Sequence, residues 1–104
     1  MQKFSLFIGS NNTTHELEAE TIKAILARFQ VNAYTYQEAT GYWNGSPEKN
    51  AIVSIITEEA STIALSIPYL AGELARILNQ DAVLVESYAP AYASNLYGPS
   101  LTLD

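Results

Sequence analysis

The chain has 104 residues with 48% hydrophobic and 15% charged side chains, which describes one ordered domain able to build its own core. It has no cysteine, so disulfides, thiol chemistry and thiolate metal sites are excluded. Eleven acids against five Lys and Arg give a formal net charge of −6, and no cluster of cations is present to hold a phosphate backbone, so nucleic acid is not an expected partner.

In chain order, residues 3–8 are mostly apolar and read as a central strand, ended by Gly9-Ser10-Asn11-Asn12. Thr13 and Glu16 have the spacing of a capping box, which predicts a helix from there to about Gln30. Ile22, Ile25, Leu26 and Phe29 form its buried stripe. Glu16, Glu18 and Glu20 read as a solvated face, and His15, the one histidine, as a surface residue. Residues 31–43 read as a second strand, with Tyr34, Tyr36, Glu38, Thr40 and Tyr42 on one face.

The stretch from Gly41 to Glu48 reads as a hairpin tip. It holds the adjacent aromatics Tyr42 and Trp43, the glycines Gly41 and Gly45, which let other groups approach the backbone, and the acid Glu48. Residues 50–57 follow as a third strand, apolar on both faces and so expected to be buried on both sides. Pro68 interrupts the next helical stretch, placing the main second helix at 68–79. Residues 82–86 form a fourth strand with Glu86 emerging at its end, and 88–104 form an extended tail of the same single domain, 1–104.

Strand, helix, strand, strand, helix, strand is the ferredoxin-like βαββαβ pattern. It predicts an α+β domain in which two helices cover one face of a four-stranded antiparallel sheet. The other face, backed by the apolar third strand, is expected to be buried by homo-oligomerisation, and a trimer is predicted.

The stretch TGYWNGSPE over 40–48 and the block AGELARILNQDAVLV over 71–85 resemble the phage-encoded S-adenosylmethionine lyases, themselves similar to trimeric PII-like proteins. The resemblance implies ligand clefts between adjacent subunits and non-hydrolytic cleavage of S-adenosylmethionine to homoserine lactone and methylthioadenosine. It also implies a functional tyrosine in the Gly-aromatic stretch and a glutamate just before the third strand. Glu48 matches the acid; Trp43 stands in the tyrosine's place, with Tyr42 beside it. Glu48, Tyr42 and Trp43 are thus the candidate catalytic residues, and Glu86, Gly41, Gly45 and Asn50 the candidate ligand-binding ones.

The absence of Cys and of a second His suits this chemistry, because the leaving group is a neutral thioether and the nucleophile is the substrate's own carboxylate. The expected partner is a small adenosine-type molecule, with no cofactor, metal or membrane, and the expected location is cytoplasmic, in the host cell if the chain is phage-encoded. A non-catalytic sponge or sensor for a nucleotide-like ligand, and a PII-like interaction module, are the alternatives.

Overall fold

The structure, a computed structural model, describes residues 1–58 and 60–88. It contains β1 (Gln2–Ile8), α1 (Ala19–Arg28), β2 (Thr35–Trp43), β3 (Ser46–Thr57), α2 (Thr62–Ile77) and β4 (Leu84–Tyr88). The strands form one antiparallel sheet in the order β2-β3-β1-β4, the ferredoxin-like arrangement expected. No helix among the described residues is long and apolar enough to cross a membrane.

Side-chain alternation decides which face meets the helices. Phe4, Leu6 and Ile8 on β1 and Ala51, Val53 and Ile55 on β3 are buried together with Ile22, Leu26, Leu70 and Leu74 of the helices. Fully burying each large aliphatic side chain contributes about 1.5–3 kcal/mol over leaving it in water. The opposite face carries Phe7, Ile52, Ile56, Leu84 and Tyr88, and there Ile56, Leu84 and Tyr88 are exposed in the single chain. The third strand is therefore buried on one side only within a subunit.

Several boundaries differ from the sequence-based expectation, each for a local reason. The capping box at Thr13 is not used, and α1 begins at Ala19 with no side-chain cap on Glu18. Asn11 takes over the region: its Oδ1 accepts from the Thr13 and Thr14 amides, and its carbonyl accepts from His15 N–H. His15 lies at φ +61°, outside the helical basin.

The helix ends at Arg28 in a Schellman turn. Gln30, at φ +60°, donates to Ala27 O, and Val31 N–H reaches Leu26 O at 3.0 Å. Val31 is thus a buried helix stop and not the start of β2, which begins at Thr35. The second helix closes in the same way, with Asn79 at φ +53° and Gln80 N–H on Ala75 O at 2.8 Å.

Helix α2 starts well before the expected 68, because Ser61 is a working N-cap whose Oγ accepts from Ala64 N–H. Pro68 sits inside the helix on its exposed side, where its ring costs one backbone hydrogen bond without entering the core. The fourth strand is shifted two residues on, which puts Glu86 in its middle and not at its end. Tyr88 closes that strand, and the rest of the expected tail, 89–104, lies outside the described residues.

One tie between the helices is charged. Glu73 of α2 accepts from Arg76 Nε at 2.7 Å and from Arg28 of α1 at 3.0 Å. The hydrogen bond from Arg76, reinforced by the charges of both arginines, holds the Glu73 carboxyl below its ordinary range. A depressed carboxyl stabilises the fold above its unfolded pKa, and that contribution is lost as pH falls through the folded value. Glu73→Gln should therefore lower the melting temperature at pH 7 and leave it unchanged at pH 2. Equal loss at both pH values in thermal scans would contradict this.

Candidate functional site

The hairpin is tighter than its sequence suggests. Only Asn44 and Gly45, at φ +49° and +78°, lie between the strands, and two consecutive positive φ values make a type I′ turn. Gly45 serves this backbone requirement, and a Cβ added there would meet open space. Ser46, Pro47 and Glu48 are ladder residues opposite Trp43, Tyr42 and Gly41. Trp43 and Ser46 flank a two-residue turn, so Tyr42 and Pro47 form the next pair, the kind that exchanges no hydrogen bonds, and the missing amide of Pro47 costs nothing.

Because β1 ends opposite Ala51, residues 46–50 pair with β2 alone, as an arm beyond the central strand. The loop after β1 is fastened to this arm. Ser10 N–H donates to Glu48 Oε1 at 2.8 Å, and Ser10 Oγ donates to the Lys49 carbonyl at 2.7 Å. Gln80, the residue that closes α2, donates through Nε2 to the Ser10 carbonyl. Gly9 makes the junction possible: a Cβ there would stand 2.8 Å from Glu48 Oε1 and 2.9 Å from Gln80 Oε1.

A cleft of about 640 Å³ opens between the arm and the loop, lined by Asn44, Ser46 and Glu48 on one side and Asn11, Asn12 and His15 on the other. A smaller concavity of about 390 Å³ continues past His15 and Lys49 to Leu17 and Glu38. With one carboxylate oxygen engaged by Ser10, Glu48 keeps Oε2 and further lone pairs for a donor inside the cleft.

The structure gathers only some of the expected site residues. Glu48 lines the cleft. Gly41 gives its space to Asn50, whose Nδ2 would clash with a Cβ on Gly41, so this glycine accommodates a neighbouring side chain within the sheet. Tyr42 is 72% exposed and one position off Gly41, the partner of Glu48, so the two side chains leave opposite faces of the arm. Trp43 occupies the last ladder position before the turn.

Glu86 stands apart. It is level with Ser54, six residues along β3 from Glu48, or about 20 Å at strand rise. It accepts from Tyr88 Oη at 3.1 Å, and that bond together with the Glu86 charge raises the Tyr88 pKa. Ser10, Asn11, Asn12, His15 and Gln80 were not among the expected site residues. Only the polar run after β1 pointed towards the first three.

The ferredoxin-like α+β class is thus defined by strand order and by two helices on one face of the sheet. Among solved structures, the fold is shared with a phage S-adenosylmethionine lyase in complex with S-methyl-5′-thioadenosine, at TM-score 0.59 and 19% sequence identity, over 84% of this chain and 79% of that one. No family model and no curated protein matches the sequence.

Proposed function

We propose that this chain binds an adenosine-containing small molecule at the Glu48 cleft and cleaves S-adenosylmethionine to homoserine lactone and methylthioadenosine. The observation that carries the reading is the join of a lyase-like fold with a polar cleft at the one hairpin acid, Glu48, held in place by Ser10. In the reaction, a carboxylate oxygen of the methionyl group attacks its own Cγ, and the Cγ–S electron pair leaves on sulfur as a neutral thioether. No proton moves, so neither a general acid nor an enzymic nucleophile is required.

Positive charge on sulfur disappears in the transition state, and a carboxylate against the sulfonium would favour the ground state instead. Glu48 therefore serves best on the substrate ammonium or the ribose hydroxyls. Its fixed position helps fold the methionyl chain into attack geometry. Three copies packed through the open sheet face would supply the missing wall, with exposed aromatic surface such as Tyr42 available to an adjacent subunit. On this reading the protein is of phage origin and acts in the host cytoplasm.

A second reading is favoured by the placement of Tyr42 on the face of the arm opposite Glu48, which takes that ring away from the cleft of its own subunit. It is a non-catalytic sponge or sensor for the same ligand, suited to counter-defence. Incubation with S-adenosylmethionine separates the two by mass spectrometry. Methylthioadenosine and homoserine lactone are expected. Intact ligand retained by the protein would establish the sponge, and neither product nor binding would leave an interaction module.

A further inference from the structure

A second cleft, of about 410 Å³, lies on the helix side of the sheet between the first turns of α2 and strand β4. Its walls are Phe4, Ala64, Leu65, Pro68 and Val85, with Gln2 and Ser87 at the sheet, and none of its described lining residues is charged. Leu65 is left 67% exposed there, and Tyr69, one turn further along the same helix, is exposed as well. The cleft shares no lining residue with the Glu48 site and is separated from it by the length of the sheet.

The chain itself supplies matching chemistry at this place. Ser87 lines the cleft, and Tyr88, the last residue of β4, pairs with Lys3 immediately beside it. Sixteen residues then follow, 89–104, with Asp104 their only charged side chain. They include Tyr92, Leu96, Tyr97, Leu101 and Leu103. The residues up to 88 carry the other fifteen of the chain's sixteen charges, so a segment uncharged until Asp104 begins where a cleft with no charged residue among its described lining opens. A strand residue spans about 3.3 Å, so even the first few of the sixteen can reach across the walls.

We propose that residues 89–104 of the same chain occupy the cleft between α2 and β4, covering Leu65 and Val85. A covered cleft removes apolar surface from water and leaves β4 held from its helix side as well as by β1.

The full chain has no cysteine, so a nitroxide can be placed on one wall through Leu65→Cys, with Gln2→Cys as a second probe on the opposite wall. Amides within 89–104 should lose NMR intensity with either probe and regain it on reduction of the nitroxide by ascorbate. The loss should persist when the labelled chain is diluted into unlabelled, isotope-free chain. Loss seen only when an isotope-labelled chain without probe is mixed with a probe-bearing chain would assign the occupant to a second copy and overturn the proposal. Full intensity across 89–104 with both probes would overturn it as well.

Discussion

Glu48→Gln is expected to leave the melting temperature and the assembly unchanged while turnover or ligand affinity falls about tenfold to a hundredfold. The amide oxygen of glutamine can still accept the Ser10 N–H, so the fastening of the loop to the hairpin arm survives. What disappears is the negative charge, and with it a charge-assisted hydrogen bond worth roughly 1.5–3 kcal/mol to an ammonium or a ribose diol. Glu20→Gln serves as the control: Glu20 is an exposed residue of α1 that lines neither the cleft nor its continuation, so neither stability nor activity should move appreciably. The discriminating measurement is a paired thermal scan and product assay. Parent-like turnover in Glu48→Gln would reduce the hairpin acid to a structural acceptor for Ser10.

The second large effect concerns the open face of the sheet. Light scattering of the parent chain at micromolar concentration should report a trimer, and Ile56→Arg should return a monomer near 11.4 kDa. Ile56 points away from the helices and is 48% exposed in the single chain, so the substitution leaves the core intact. In an assembly it would place a charge on a face shared with Phe7, Ile52, Leu84 and Tyr88 and close to Lys3. Burying an isoleucine contributes about 1.5–3 kcal/mol per copy, and the introduced cation adds a desolvation cost of its own. Lyase activity should fall together with assembly. A parent chain that is itself monomeric would remove both the trimer and the shared-cleft reading.

The sequence shows its periodic parts plainly and its long-range parts poorly. β1 and the stripe Ile22, Ile25, Leu26 could be read because alternation and helical spacing are local patterns. The false capping box at Thr13 had the right residues, but Asn11 satisfied the nearby amides first. Pro68 misled for a related reason: Ser61 and the burial of Ile67, Leu70 and Leu74 outweigh one missing hydrogen bond. At the site, Glu48 was legible because it sits beside an Asn-Gly turn. Its partner Ser10 is 38 positions away, and no local pattern announces that the Gly9 backbone passes between Glu48 and Gln80. At Gly41, likewise, the described neighbour that comes close is Asn50 across the ladder, a contact no local pattern announces.

The strand order carries a consequence for biosynthesis. β1 is made first yet lies inside the sheet, flanked by β3 and β4, and its pairing with β4 joins Lys3 to Tyr88. As the chain emerges from the ribosome, β1, β2 and β3 can pair while one whole side of β1 still has no neighbour. That side is an unpaired edge, open to another nascent chain until residues 84–88 arrive. Closing it requires a contact spanning most of the polypeptide, the slowest kind to form. The five-residue β4 therefore acts as the late latch of the domain, and the interval before it closes is when the protein is most exposed to mispairing.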